Sequence, residues 1–178
     1  MGTGFDRAAR SFSNLIHRKV TVTNCHSIVT DSLRNERAFD EAHGDLHVLV
    51  TQVIGDVSGK SFLIFTDKER AEVFNAMNLR QDNEALCEAF LLEIDNIISA
   101  SVISELADSL GLEVYGDVPE LHRITAAEYC AFMEKAIGSG GASGLLFCRA
   151  TFQVGEHEST APQFVWNLSN RIFEAIPV

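Results

Sequence analysis

The chain has 178 residues, of which 46% are hydrophobic and 22% charged, and 25 acidic against 14 basic residues give a net charge of −11. This length and apolar content predict one folded domain and exclude a disordered chain. The acidic balance argues against nucleic acid as the partner, because binding to phosphates requires clustered lysine and arginine.

The first half of the chain is predicted to form a helix, a strand, a hairpin and a second helix. Helical spacing of apolar residues, β-branched alternation and apolar runs around a Gly-containing turn indicate these elements. In order, they are a helix over 5–17, a strand that starts at 20–23, a polar loop over 31–45, and hairpin strands at 47–54 and 61–65. Thr66 and Glu69 then have the spacing of a capping box, which predicts a helix as far as about Asn78.

The second half is predicted to contain a long helix, a further helix and three strands. Asp82 or Asn83 is the expected N-cap of the long helix and Gly111 its stop, and Thr125 with Glu128 forms a second capping box. The elements are a helix over roughly 83–110, a strand at 112–115, a helix over 125–137, a Gly-rich break at 138–144, and strands near 145–154 and 163–168.

This order of elements predicts an α+β fold. Residues 11–20 and 105–114 are similar at an offset of 94, and each segment ends a helix and enters a strand. We therefore predict a single domain over 1–178 with two pseudo-symmetric helix–hairpin halves, about 1–82 and 83–178. The halves are expected to form a mostly antiparallel sheet with the long helices packed on one face.

The sequence also bears on cellular location. No apolar run reaches the roughly 18 residues that would span a bilayer, and the first residues contain no apolar signal-peptide core. The four cysteines are isolated and form no CxxC pair, which is typical of reduced thiols. We therefore expect a cytoplasmic protein.

The stretch 91–101 of the long helix contains the polar residues that bear most directly on function. Glu93 and Asn96 are three positions apart, so both project from the same side of the helix. The other residues of this row are small and allow another surface to approach closely: Ala89, Ala100, Ser104 and Ala107. Asp95 lies about 200° from Glu93 around the helix and is expected to point elsewhere. Spacing alone leaves open that Glu93 and Asn96 are ordinary polar residues of a solvated face.

A family resemblance adds to this interpretation. Residues 92–98 and 104–111 resemble the signature helix of the CheC/CheX/FliY family, which are bacterial chemotaxis phosphatases with an E-x-x-N motif. The hairpin at 50–65 and the segment 12–20 resemble the same family. Together these segments cover most of residues 5–115, and the remainder matches only in the order of its strands and helices.

The resemblance implies a phosphatase that acts on the aspartyl phosphate of CheY-like receiver domains in chemotaxis or two-component signalling. It implies that Asn96 positions the attacking water, that Glu93 pairs with a receiver lysine, and that the receiver carries Mg²⁺ while this chain binds no cofactor. These residue types suit the roles, because an amide both donates and accepts hydrogen bonds and a carboxylate binds an ammonium group strongly. Ala89, Ala100 and Ser104 are then expected to line the surface that contacts the partner.

Two positions depart from the family pattern, and the motif occurs once. Ala89 stands where Ser or Asp is common, and Asp95 stands between the motif residues where a small residue is common. Subtracting the offset of 94 places the first-copy Asn at Gly2 and its Glu before residue 1. We therefore expect one motif per chain, as in the CheX type, whose subunits commonly pair as homodimers.

The N-terminal segment has the opposite charge to the rest of the chain. Residues 1–19 hold four basic residues and one acidic residue, a net +3, so the remainder carries −14. An acidic receiver pocket would be repelled by an acidic phosphatase. We expect the first helix to pack beside the long helix, where Arg7 and Arg10 would offset this repulsion and contribute to partner binding. The simpler alternative is that both arginines are solvated positions of an amphipathic helix.

Other functions stay open at this point. The same fold serves in non-catalytic adaptors of the FliM/FliN flagellar-switch group, and a purely structural dimerisation domain is a third alternative. A metal site at 41–47 is not favoured, because the spacing of its two histidines and two acids matches no familiar site. The Gly-rich segment 138–144 lacks the Lys-Ser/Thr of a phosphate-binding loop.

Overall fold

A computed structural model of the chain describes residues 2–30, 44–137, 145–155, 162–169 and 171–175. The first half contains α1 (Gly2–Ile16), β1 (Val20–Thr30), β2 (Asp45–Gly55), β3 (Gly59–Thr66) and α2 (Asp67–Ala76). The second half contains α3 (Glu84–Leu110), β4 (Val114–Gly116), β5 (Glu120–Thr125), a 3₁₀ turn (Ala126–Glu128), α4 (Tyr129–Ile137), β6 (Leu145–Val154), β7 (Gln163–Leu168) and α5 (Arg171–Ala175).

The seven strands within the described residues form one open antiparallel sheet. Its order is β1-β6-β7-β3-β2-β4, and β5 also pairs with β2. If β1 is exchanged with β4, β2 with β6 and β3 with β7, the same order is obtained when the sheet is read from its opposite edge. A two-fold repeat produces this symmetry. The predicted α+β class and the mostly antiparallel sheet are confirmed.

The two faces of the sheet are covered by different helices. Alternate residues of β2, β3 and β7, such as Leu49, Leu63 and Trp166, join the main core with α1 and α3. The intervening residues, such as Phe62, pack with Tyr129 and other residues of α4 in a smaller core on the opposite face. The long helices therefore share one face as predicted, and α4 covers part of the other face, which was not predicted.

The ends of α3 follow from its sequence. The Asn83 side chain accepts a hydrogen bond from the Leu86 amide at 3.1 Å, so it caps one of the free amides of the first turn. Gly111 adopts φ +65 at the C-cap, a conformation that costs glycine little. Between these caps, Leu91, Ile94 and residues at the same helical spacing are buried against the sheet.

The two capping boxes are confirmed. The Thr66 hydroxyl accepts from the Glu69 amide at 3.3 Å, and the Glu69 carboxylate accepts from the Thr66 amide at 2.8 Å, where β3 passes into α2. The Glu128 carboxylate likewise accepts from the Thr125 amide at 2.8 Å, before the 3₁₀ turn and α4. Both pairs stop a strand and start a helix without an intervening loop.

Several boundaries differ from the prediction. The first helix begins at Gly2 instead of residue 5, because tertiary packing of Gly4 on α3 outweighs the weak helix propensity of the glycines. The second helix ends at Ala76 because Asn78 adopts φ 54, which a helix cannot continue through. The strand β5 and the short helix α5 were not predicted. The loop was predicted over 31–45; its residues 31–43 and the Gly-rich break at 138–144 lie outside the described residues, and Asp45 already belongs to β2.

Two further observations concern the described ranges. No helix within them combines the length and the apolar character needed to cross a bilayer. None of the three cysteines whose side chains are described is in a disulfide; Cys87 is buried, and Cys25 and Cys130 are exposed.

Candidate functional site

Glu93 and Asn96 lie on the exposed side of α3. The small residues of the predicted row, Ala89, Ala100 and Ser104, are exposed as well, and only Ala107 is half-buried. The opposite side of the same helix is buried in the core, so the row forms one continuous accessible strip. The geometry allows a partner to reach both polar groups at once, because no described element of this chain covers them.

The first helix packs against α3, as predicted. A Cβ built on Gly4 would lie 3.0 Å from the Cβ of Glu105 and 3.7 Å from the Cα of Val102, so the two helices approach closely here. Arg7 and Arg10 are exposed on α1. Both therefore lie on the helix next to the one that carries Glu93 and Asn96, and their role in partner binding stays a prediction.

The charge on α3 is entirely negative. Its 27 residues include six carboxylates and neither Lys nor Arg. Glu88, Glu93 and Asp108 are exposed among these carboxylates. A partner that contacts this helix directly is therefore attracted through basic groups.

Asp95 is buried beneath the turn that carries Glu93 and Asn96. Its Oδ2 accepts from the Thr51 hydroxyl of β2 at 2.6 Å, and its Oδ1 accepts from the Ser99 hydroxyl at 3.0 Å. The Ser61 hydroxyl of β3 lies 3.2 Å from that of Ser99. The prediction that Asp95 points away from Glu93 is confirmed, and the carboxyl is completely inaccessible to solvent.

The electrostatic environment of Asp95 is unusual for a carboxyl group. Burial raises its pKa to about 6, against an opposing effect of the hydrogen bonds from Thr51 and Ser99. Within the part of the chain that the structure describes, the groups that support the charge are the two hydroxyls, and no cation contributes to the shift. Such a group changes protonation near neutral pH, where an ordinary aspartate does not.

The sequence interpretation missed the polar cluster formed by Thr51, Ser61, Asp95 and Ser99. A signal was present, because Asp95 and Ser99 share the helical spacing of the buried residues Leu91 and Val102. A carboxylate on an apolar stripe requires buried hydrogen-bond donors, and the hairpin supplies them. The packing of the helix on the sheet determines which strand positions supply these donors.

A second polar cluster ties the N-terminus of α3 to its surroundings. Glu84 in the first turn pairs with Arg123 of β5 and lies 3.4 Å from Arg70 of α2. The hydrogen bond from Arg123 lowers the pKa of Glu84. Nearby, the Nε2 of buried His47 lies 2.8 Å from an Asp67 carboxylate oxygen, and burial lowers the pKa of the imidazole.

This second cluster bears on the metal site considered at 41–47. Residues 41–43 lie outside the described residues, and His47 is bound to Asp67. Among the residues that the structure describes, no group of three or more His, Cys, Asp and Glu side chains is arranged to hold a metal ion. The cluster therefore acts as a set of contacts between α2, α3 and the sheet.

No protein-family description and no curated protein sequence matches the chain. Among solved structures, FliY from Thermotoga maritima superposes with a TM-score of 0.72 at 13% identity, covering 98% of this chain and 90% of that chain. The fold is that of the CheC/CheX/FliY-like proteins.

Two further structures are similar over most of the chain. CheX from Borrelia burgdorferi, solved in a complex with CheY, BeF3 and Mg²⁺, superposes with a TM-score of 0.56 at 14% identity, covering 94% of each chain. The middle domain of FliM from Vibrio alginolyticus gives a TM-score of 0.53 at 12% identity, covering 97% of this chain and 94% of that chain. The CheC/CheX/FliY-like fold predicted from the motif segments is therefore confirmed.

Proposed function

We propose that this chain is a phosphatase of CheY-like receiver domains and hydrolyses their aspartyl phosphate. The observation that carries the proposal is the exposure of Glu93 and Asn96 on one strip of α3 whose other residues are small. The CheC/CheX/FliY-like fold supports it, since the Borrelia burgdorferi CheX of this fold was solved with CheY, BeF3 and Mg²⁺. The strip is accessible, as insertion into a partner's active site requires.

Asn96 is the proposed catalytic residue. Its carboxamide can donate a hydrogen bond toward a phosphoryl oxygen and accept one from the attacking water. It therefore orients the water for in-line attack without serving as a strong base. An acyl phosphate is already reactive, so positioning is the main contribution that the phosphatase needs to supply.

Glu93 is the proposed anchor for a lysine of the receiver. A carboxylate and an ammonium group form a charge-assisted hydrogen bond, which fixes the register of the two proteins. Mg²⁺ belongs to the receiver in this proposal, where it neutralises charge on the phosphoryl oxygens. The roles of the two motif residues are therefore separate: Glu93 acts in docking and Asn96 in the chemical step.

The decisive experiment follows the decay of a phosphorylated receiver. We expect the wild-type chain to accelerate the decay and Asn96→Ala to abolish most of the acceleration, with little change in receiver binding. Asn75→Ala removes another exposed asparagine, from α2, and is the matched control, for which we expect the wild-type rate. Binding of the receiver without any acceleration would falsify the phosphatase proposal.

The anchor is tested by separating binding from rate. Glu93→Gln keeps the shape of the side chain and removes its charge, so we expect a raised KM for the phosphorylated receiver and a nearly unchanged kcat. Glu88→Gln removes an exposed charge from the same helix outside the strip and controls for the general loss of negative charge. Equal effects of the two variants on KM would show that Glu93 makes no specific pair.

The second candidate is a non-catalytic adaptor that binds a receiver. The similarity to the FliM middle domain favours it, because the CheC/CheX/FliY-like fold extends to that protein. The decay experiment separates the two candidates, since an adaptor binds and leaves the rate of decay unchanged.

A homodimer with one strip per subunit is also expected, and sedimentation at several concentrations would test it.

A further inference from the structure

We infer that Asp95 is a positioning residue, which fixes the helical turn that carries Glu93 and Asn96 by anchoring it to Thr51 of β2. The inference rests on the proposed function, because it concerns how the two motif residues are presented to the receiver. Asp95 itself is completely buried, so it cannot contact the receiver and acts only through its neighbours in the helix.

The anchor is directional, unlike the apolar contacts around it. Thr51 donates to one carboxylate oxygen at 2.6 Å, and Ser99 of the next helical turn donates to the other at 3.0 Å. Because Ser99 uses its single hydroxyl proton in this bond, Ser61 is the donor in the 3.2 Å contact between the two serines. The carboxylate therefore links α3 to β2 directly and to β3 through Ser99.

The size of the effect follows from helix geometry. Side-chain ends lie about 5–6 Å from the axis of a helix, so a rotation of about 20° displaces them by about 2 Å. Burial of Ile94 and Ile98 is favourable through the non-directional hydrophobic effect, whereas a hydrogen bond weakens steeply when its geometry changes. A displacement of about 1 Å in a positioned catalytic group can reduce a rate by about 100-fold.

A purely structural role explains Asp95 less well. Among the described residues its carboxylate has no cationic partner, and burial of such a group disfavours the folded state. An apolar side chain at this position would fill the core without that cost. The polar cluster instead fixes the rotation of α3 about its own axis, at the turn that carries Glu93 and Asn96.

The test uses two substitutions of Thr51 that differ by the hydroxyl group. Thr51→Val keeps the shape and removes the donor. We expect kcat toward the phosphorylated receiver to fall about 100-fold for a displacement of about 1 Å, and KM to rise as well, because the same rotation displaces Glu93. Thr51→Ser keeps the donor and is expected to restore most of the activity. Ile98→Val, a buried substitution on the same helix, controls for loss of stability and should leave kcat unchanged.

Hydrogen exchange of the α3 amides provides a readout that does not depend on activity. We expect faster exchange at residues 93–97 in Thr51→Val than in Thr51→Ser or Ile98→Val. If Asn96→Ala confirms the phosphatase but Thr51→Val retains its kcat, the positioning inference is overturned and the proposed function stands. If the wild-type chain shows no phosphatase activity, the proposed function fails. In that case faster exchange still supports the anchor, and unchanged exchange overturns it.

Discussion

Replacement of Asp95 by asparagine is expected to change the pH dependence of stability. The pKa of the folded state is about 6, against 3.8 for an unperturbed aspartate. Because the folded pKa is raised, the stability contributed by the protonated carboxyl is full below about pH 4 and is lost as the pH rises through about 6. The shift corresponds to a loss of about 3 kcal/mol in the free energy of unfolding, about half of it between about pH 5 and 8.

The asparagine variant removes this loss. Its amide can donate to Thr51 and its carbonyl can accept from Ser99, so the change in hydrogen bonding has the same cost at each pH. Relative to the wild type, Asp95→Asn should therefore gain more than about 1 kcal/mol in stability when the pH is raised from about 5 to about 8. Other carboxyl groups titrate in both proteins, so their contribution cancels in the difference.

Urea unfolding at the two pH values measures the difference directly. The chain contains one tryptophan, Trp166, which is buried and reports unfolding by its fluorescence. Glu88→Gln removes an exposed carboxylate from the same helix and controls for the loss of one negative charge. If Asp95→Asn shows the same stability difference at both pH values, Asp95 is not a desolvated carboxyl and the account of the polar cluster is wrong.

Three further predictions concern the capping box, the hairpin and the basic helix. Thr66→Ala should lower stability in urea by about 1 kcal/mol, because the Glu69 amide loses its acceptor; an unchanged midpoint would contradict this. Gly59→Ala should lower the melting temperature strongly, since its Cβ would lie 2.1 Å from the Asn167 carbonyl oxygen, and a wild-type melting temperature would refute the close approach. Reversal of both Arg7 and Arg10 to Glu should slow association with the phosphorylated receiver in stopped-flow experiments, about 10-fold at low salt and much less at high salt. An unchanged rate at low salt would exclude their role in steering.

Local sequence signals predicted most of the fold. Capping residues act within three or four positions, so Thr66, Asn83 and Thr125 marked the starts of helices without any knowledge of tertiary contacts. Gly111 marked the end of α3 for the same reason, because its left-handed conformation is a local preference. The hairpin of β2 and β3 likewise follows from two apolar runs around a short turn.

Elements that depend on distant partners were not predictable in this way. Residues 120–125 have no strong apolar alternation and become a strand because β2 offers them an unpaired edge. The first turn of α1 contains two glycines and becomes helical because Gly4 permits close packing on Glu105. In both cases the stabilising contacts come from residues far along the chain, which a local pattern does not contain.

The candidate site shows the same division between local and distant information. The exposed strip was predictable, since helical spacing alone places Glu93 and Asn96 on one side of α3. Asp95 stood out only as a departure from the motif, and its consequence for function depends on Thr51, which lies 44 positions earlier in the chain. The partners of a buried polar group are set by the packing of helix on sheet.

The burial of Asp95 changes what its departure from the motif means for the proposed phosphatase. An aspartate on the exposed strip would repel an acidic receiver pocket and weaken docking, and the resulting defect would appear in KM. In the structure the strip keeps only Glu93 and Asn96 as its polar groups between Ala89 and Ala100, so the docking surface is unaltered. Asp95 instead affects the rotation of α3 about its axis, through its hydrogen bond with Thr51. Loss of this anchor is therefore expected to lower kcat as well as to raise KM, whereas a charge on the exposed strip would change KM alone.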